Sequence, residues 1–469
     1  MLLLSFLFST TIISVVHANK GQPNIVFIMA DDLGYGDLGC YGQQQIKTPH
    51  IDRLAAEGMR FTQAYAGGCV CTPSRSCLMT GLHGGHTPAR DNVPHYPTYL
   101  QETDVTIAEV LKQAGYRCGG IGKWSLGDAG TVGRATRQGF DKWFGYLNQD
   151  HAHHYYPEYL DDDESRLELT GNSKSHDQYS HDLMTEQALK FIRESKDRAF
   201  FLYAAYTVPH FGSPVEDPTR LPVPSDSPYS DKPWDQKAKN YAAMITHLDA
   251  DVGRIVRLID ELGLATETLI IFTSDHGPWG GMPRLFDSAG PLRGKKRELY
   301  EGGIRVPFIA RRPGYVPARK LSDEVIAFWD MMPTFAELAG AEAPADIDGI
   351  SVAAALRGEE FQARREYLYW DYGHNRTTYH QAVRIGDWKA LRHGQGGRVE
   401  LYDLSGDLAE SHNVADQHAE IVSRIEQIMR TAVTPSRRYQ VGKLYEGGPI
   451  WQSSVLKGRT EPSDAPERE

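Results

Sequence analysis

Cysteine is scarce. The chain of 469 residues holds five, Cys40, Cys69, Cys71, Cys77 and Cys118. An odd count excludes a fully paired framework and leaves at least one thiol unpaired or chemically used. Cys71 is the expected odd one. The other four could form up to two disulfides, with a pairing that spacing does not set. Basic charge is also short, with 50 Lys and Arg against 61 Asp and Glu, a formal net charge of −11. That balance excludes nucleic-acid binding as the main task but leaves room for a local cationic pocket. Beyond residue 18 there is no long apolar run, so the mature chain is predicted to have no membrane span. Internal repeats are absent.

What is present is ordinary globular composition, 24% charged and 41% hydrophobic. The length suits one large domain and a smaller one. Residues 1–18, MLLLSFLFSTTIISVVHA, are apolar and uncharged by Lys, Arg, Asp or Glu, and end in small residues. They read as a signal peptide cut before Asn19, with a membrane anchor as the alternative. The protein is thus expected to be secreted or periplasmic.

Apolar runs then alternate with helical periodicity. PNIVFIMADD, RCGGIGKW, AFFLYAAYTVPH and ETLIIFTSDHG read as strands. Ile51 to Met59, TIAEVLKQAGY, SHDLMTEQALKFIRE and YAAMITHLDADVGRIVRLIDELGL read as helices. This order predicts an α/β fold, a large mostly parallel sheet sandwiched by helices. After about residue 358 the pattern changes. EYLYWDY, QAVRIGDWKALR and VELYDLS, followed by HAEIVSRIEQIMRTAV, predict a small antiparallel sheet with one helix. The expected organisation is a catalytic domain over 19–358 and a small subdomain over 359–469 with a mobile tail. The Pro-rich segment from Ser213 to Trp234 reads as a connecting loop, with a substrate lid as the alternative.

Two predicted strands end in acidic or imidazole groups, Asp31-Asp32 and Asp275-His276. Ligands of open parallel sheets bind at the carboxyl ends of strands. Carboxylates converging there need a cation, and oxygen-rich sites suit Ca²⁺ or Mg²⁺.

The stretch CTPSR, Cys71 to Arg75, with LMTG downstream, resembles the signature of the type I (formylglycine-dependent) sulfatases, within the alkaline phosphatase-like superfamily. The likeness is to bacterial arylsulfatases and runs from Asn24 to about Ile425. It implies conversion of Cys71 to formylglycine by a formylglycine-generating enzyme. It implies metal ligation by Asp31, Asp32, modified Cys71, Asp275 and His276, with Ca²⁺ first and Mg²⁺ second. Arg75 would steady the modified residue. Lys123 in GKWSLG and Lys296 in PLRGKKRELYEGG would hold the sulfate, Lys296 being taken over Lys295 by counting back from YEGG. His210 in YTVPH would protonate the leaving alcohol. By this resemblance, one hydroxyl of the hydrated aldehyde would attack sulfur, and the second hydroxyl would then lose its proton, expelling sulfate and restoring the aldehyde. A plain serine or cysteine could perform only the first half.

One position departs from the family. Many members read GKWHLG, and this chain has Ser125 at that histidine, a poor base at neutral pH. His151, His153 and His154 in DHAHHYYPEYL could fold over the site, His153 and His154 being the candidate substrate contacts. Surface histidines or a separate zinc site are the other readings of that loop. Trp124, Tyr155, Tyr156 and Trp143 could offer faces to a sugar ring, Trp143 being more naturally core. FWDMMPTFAELAG looks structural. Asn375-Arg376-Thr377 forms a glycosylation sequon. The resulting expectation is an exported sulfatase acting on a sulfated carbohydrate or a small aryl sulfate. Its alternatives are a phosphatase or phosphonate-ester hydrolase of the same superfamily, or a silent binder of sulfated glycans. The sequence leaves the oligomeric state open.

Overall fold

The computed structural model describes residues 21–435 apart from 94–97, 214–215, 362–364, 375 and 377. The expected signal peptide, the sequon positions Asn375 and Thr377, and the tail from residue 436 lie outside the described residues.

One sheet has ten strands: β1 Asn24–Ala30, β2 Met59–Tyr65, β3 Arg117–Lys123, β4 Lys142–Tyr146, β5 Tyr159–Asp162, β6 Ser165–Glu168, β7 Phe200–Ala205, β8 Thr268–Ser274, β9 Arg305–Arg311 and β10 Lys320–Ala327. Their order is β10-β2-β9-β8-β1-β7-β3-β4-β5-β6. The central run β8-β1-β7-β3-β4 is parallel throughout, as the alternating pattern predicts. Strand β9 runs antiparallel to both of its neighbours. A second sheet, β11 Leu368–Tyr372, β12 His380–Ile385, β13 Trp388–His393 and β14 Val399–Asp403, is antiparallel throughout.

The helices in chain order are α1 Pro49–Glu57, α2 Cys71–Thr80, α3 Ile107–Gln113, the single turn α4 Asn172–Ser175, α5 Ser180–Ser195 and α6 Gln236–Glu261. After them come the single turn α7 Glu301–Ile304, α8 Met331–Ala339, the single turn α9 Ala353–Leu356, and α10 Ala419–Thr431. Among the described residues no helix is long and apolar enough to cross a membrane.

Strand β1 shows why the sheet is covered on both sides. Val26, Ile28 and Ala30 enter one core with α1, α5 and α6. Ile25, Phe27 and Met29 enter the other with α3 and α8. Successive side chains of a strand point to opposite faces, so a continuous apolar run demands helices on both. Helix α3 starts where a capping box allows, Thr106 accepting from the Glu109 N–H while Glu109 reaches back to Thr106.

The small sheet repeats this logic. Leu368, Trp370 and Tyr372 of β11 face the large domain, packing with Tyr65, Trp329 and Ile304. Tyr369 faces α10 with Ile425, Ile428 and Met429. A buried ion cluster pins the two sheets together. Lys389 Nζ lies 2.9 Å from Glu301 Oε1 and 3.4 Å from Glu410 Oε1, and all three side chains are fully buried. Replacing Lys389 by methionine keeps the volume but removes the cation shared by two buried carboxylates, leaving Glu301 with Arg305 and Glu410 with no cation among its described ion pairs. The expected result is a loss of about 3–5 kcal/mol in stability by urea unfolding. A loss under about 1 kcal/mol would show that the cluster adds little to docking.

All five cysteines are free thiols, which corrects the expectation of up to two disulfides. Cys118 hydrogen-bonds to the Ala108 carbonyl and Cys77 to that of Gly67, each in its own packing environment. Burial pushes the Cys118 thiol up to about 12 and also raises those of Cys40, Cys69 and Cys77, so these thiols stay protonated and poorly reactive.

Candidate active site

The carboxyl ends of β1, β3, β7 and β8 lie side by side in the parallel run, so the residues just beyond them meet. Asp31 and Asp32 follow β1, Lys123 ends β3, His210 lies five residues beyond β7, and Asp275 and His276 follow β8. Cys71 is the first residue of α2, whose ten residues are all buried. The remaining motif residues fix that helix start. Ser74 Oγ donates to the Asp275 carbonyl at 2.5 Å and accepts from the Gly67 N–H at 3.1 Å. A side chain at Gly67 would collide with Cys77 and with the Ser74 carbonyl, so only glycine lets the chain enter the helix this closely. Asn92 Oδ1 accepts from the Thr72 N–H at 3.0 Å. Pro73 sits in the first turn, where a missing N–H costs nothing.

Cys71 Sγ lies 3.4 Å from Asp31 Oδ1, 3.3 Å from His276 Nε2 and 3.8 Å from Lys296 Nζ. Lys123 Nζ is 2.7 Å from Asp31 Oδ2, and Arg75 Nη2 bridges Asp31 at 3.2 Å and Asp275 at 2.9 Å. Lys296 Nζ sits 2.8 Å from Asp32 Oδ1 and 2.9 Å from His210 Nε2. Lys295 instead turns outward toward Glu298. His153 stacks on His210 with centroids 4.7 Å apart and planes 10° from parallel. The structure therefore gathers Cys71, Arg75, Lys123, His210, Lys296, Asp31, Asp32, Asp275, His276 and His153 into one cluster. His154 instead turns its Nδ1 to Glu216 at 3.1 Å. His151, His153 and His154 are all buried, so the loop is not a set of surface histidines. Trp124, Trp143 and Tyr155 are core residues with no free face, and half-buried Tyr156 stacks on His176.

Opposite charges this close divide the titrations. Burial raises the Asp31 carboxyl, but Lys123, His210, Arg75 and Lys296 outweigh it and hold the group well below the usual carboxylate range. Asp32 goes the other way, to about 7, because burial and the Asp31 charge exceed the help from Lys296 and His276. Burial and Asp31 push the Cys71 thiol up, so the unmodified sulfur stays protonated and is a poor nucleophile. Burial and the cations Lys296 and Lys123 hold the His210 imidazole neutral.

The donor set fits a hard divalent cation. Ligand atoms of Asp31, Asp32, Cys71 and His276 all lie within 4.8 Å of one another, and Asp275 Oδ1 is 3.5 Å from His276 Nε2. His276 Nδ1 faces the Gly277 carbonyl at 2.9 Å. That bond assigns the proton to Nδ1 and leaves the Nε2 lone pair facing the carboxylates, the tautomer of a metal ligand.

Sequence reasoning missed Gln149. Its Oε1 accepts from Ser125 Oγ at 2.7 Å, and its Nε2 lies 3.8 Å from Cys71 Sγ. Ser125 also shares a hydrogen bond with Thr72 Oγ1 at 2.8 Å and has φ of 67°. The available signal was positional, since Gln149 lies three residues past β4, at the same sheet edge.

A buried cluster of cations and carboxylates around the cysteine that starts α2, at the carboxyl edge of a parallel sheet, is the arrangement of the alkaline phosphatase-like hydrolases of anionic esters. The family model described as Sulfatase matches residues 23–341, and a second, N-sulphoglucosamine sulphohydrolase, C-terminal, matches 294–434. The chain is 32% identical to arylsulfatase A of Homo sapiens over 467 residues, covering 87% of each chain. It is 30% identical to N-acetylgalactosamine-6-O-sulfatase of Bacteroides thetaiotaomicron, covering 89% of this chain and 94% of that one. The crystal structure of Ps i-CgsB in complex with k-i-k-neocarrahexaose superposes with a TM-score of 0.78 at 28% identity, over 91% of this chain and 95% of that one. This chain belongs to the sulfatase family and is a sulfuric ester hydrolase.

Proposed function

We propose that the protein is an exported sulfatase that removes sulfate from a sulfated carbohydrate, using formylglycine made from Cys71 and a bound Ca²⁺. The observation that carries this reading is the approach of Asp31, His276 and Lys296 to Cys71 Sγ within 3.3–3.8 Å. Sulfated sugars are favoured over simple aryl sulfates because the relatives include an N-acetylgalactosamine-6-O-sulfatase and a carbohydrate complex. Export rests on the apolar leader over residues 1–18.

Converted Cys71 would supply a hydrated aldehyde as nucleophile, and a Ca²⁺ held by Asp31, Asp32, Asp275, His276 and modified Cys71 would supply positive charge to the sulfate ester. The protein's own groups do the rest. Lys123 and Lys296 bind sulfate oxygens and neutralise charge as it shifts toward the leaving oxygen. Arg75 donates to the Lys123 carbonyl and to Asp275, which fixes both in place. His210 donates from Nδ1 to the Phe211 carbonyl at 2.7 Å, so its Nε2 accepts from Lys296. The proton shared by that pair is delivered to the departing alcohol. His153, pushed down to about 3 by burial and by Lys123, stays neutral and orients the His210 ring.

The test is release of inorganic sulfate from a panel of sulfated monosaccharides, sulfated oligosaccharides and p-nitrophenyl sulfate. A sulfated sugar is expected to give the highest kcat/KM. Failure on every sugar, with turnover of the aryl ester alone, would contradict the substrate assignment.

The Ser125–Gln149 pair makes a separate prediction. Replacing Gln149 by alanine removes the only amide near Cys71 Sγ among the described contacts and is expected to lower kcat by roughly 10–100-fold. Ser125→His should restore part of that loss in the double variant. An unchanged kcat in Gln149→Ala would show that the amide does not act on the nucleophile.

A further inference from the structure

We propose that His181, His247, Asp251 and Asp182 form a second metal site, for a Zn²⁺-type ion, that clasps α5 to α6. The cluster is separate from the catalytic groups in sequence and shares none of them. His181 and Asp182 lie in the first turn of α5. His247 and Asp251 lie one turn apart on α6, so both project from one face.

The donor atoms of His181, His247 and Asp251 all lie within 4.8 Å of one another. His181 Nε2 is 3.0 Å and His247 Nε2 is 3.9 Å from the same oxygen, Asp251 Oδ2. Four donors at Zn²⁺ bond lengths sit about 3.3–3.5 Å apart, between those two values. Asp182 Oδ1 hydrogen-bonds with His247 Nε2 at 2.6 Å and would swing outward from that bond to become the fourth ligand, a second carboxylate beside two imidazoles. Such a set suits zinc and its neighbours, whereas Ca²⁺ prefers six to eight oxygens.

His181 points most directly to a ligand. Its side chain is fully buried, and its ring nitrogens lack a well-aligned hydrogen bond, Nε2 having the Asp251 carboxylate at 3.0 Å. An N–H donor would turn toward that oxygen, whereas two ligands of one ion both aim at a point between them. An imidazole left in this state costs free energy unless something occupies that point. Burial lowers the His181 imidazole toward its neutral form, whereas Asp182 and Asp251 outweigh burial and raise that of His247, whose proton a bound cation would have to displace.

The surroundings support the carboxylate as a metal ligand should be supported. Arg254 Nη1 holds Asp251 Oδ1 at 3.0 Å, leaving Oδ2 toward the histidines. Thr185 Oγ1 donates to Oδ2 at 2.9 Å. An entry path exists on the Asp182 side, where Asp182 is 50% and His247 32% exposed.

The experiment uses the full chain, stripped by chelator and kept in excess Ca²⁺ so that the catalytic carboxylates stay loaded. Zn²⁺ is titrated by calorimetry, and Co²⁺ absorption reads the coordination geometry. One equivalent of Zn²⁺ is expected, with tetrahedral Co²⁺ bands and a rise in Tm on Zn²⁺ addition. His247→Ala should weaken Zn²⁺ by at least ~10–100-fold and abolish the Tm rise while leaving sulfate release unchanged. Asp182→Asn, at a half-exposed position that tolerates change, should weaken binding without touching the fold. Absence of a saturable equivalent in the unaltered protein would overturn the proposal. So would equal Zn²⁺ affinity in the unaltered protein and His247→Ala.

Discussion

Cys71→Ala is expected to reduce kcat/KM by a factor on the order of 10⁴–10⁶, the scale of nucleophile loss in other hydrolases. The variant keeps the Cβ and loses only weak contacts, at 3.4 Å to Asp31 and 3.3 Å to His276. Helix α2 is anchored by Ser74, Arg75 and Asn92 rather than by the sulfur. Stability should therefore stay within about 1 kcal/mol of the unaltered protein. Unconverted protein should behave like the alanine variant, because burial and Asp31 keep the thiol protonated. Measured kcat/KM beside urea unfolding separates the cases. Retained activity in a folded Cys71→Ala variant would remove Cys71 from the mechanism.

Asp31→Asn is expected to lower kcat by roughly 10²–10³-fold or more and to weaken Ca²⁺ binding in parallel. Asp31 is the carboxylate that both Lys123 and Arg75 meet. Its oxygens meet Lys123 at 2.7 Å, Arg75 at 3.2 Å and Cys71 at 3.4 Å. Neutralising it leaves two buried cations sharing less negative charge and removes one ligand from the proposed metal. Raising Ca²⁺ should recover part of kcat if metal loss dominates, and none if misplacement of Lys123 dominates. Activity within threefold of the unaltered protein would show that Asp31 is a structural partner of Arg75 alone.

The strands that carry chemistry were legible because they are buried on both faces and end in charge. NIVFIMA of β1 and TLIIFTS of β8 could hardly be anything else. The other six strands of the large sheet, β4 among them, were not read from the sequence, and for five of them the physical reason is plain. Strand β2 begins one residue after the Gly58 stop of α1, so a reading by helical period ran on through Met59. Strand β9 carries Pro307, which argues against an inner strand. Strand β10 is an edge strand of charged residues, KLSDEVIA, and β5 with β6 is a short polar hairpin.

Of the site, the motif residues were legible through CTPSR and the two acidic strand ends. What sequence could not show was which loop residue reaches across to Cys71. Gln149 arrives through a loop whose path is set by tertiary packing, with Tyr146 against His151 and His153 against His210. Of the histidines in that loop, the structure gives His153 a place against His210 and turns His154 to Glu216.

The central claim is that Cys71 is the precursor of the nucleophile. Peptide mass spectrometry across Cys71, in protein from its native compartment, tests it most directly. The account predicts a loss of about 18 Da at that residue, with hydrated forms regaining one water, as expected when a thiol becomes the aldehyde that serves as nucleophile. A protein that releases sulfate from its substrate while Cys71 remains an unmodified thiol would contradict it.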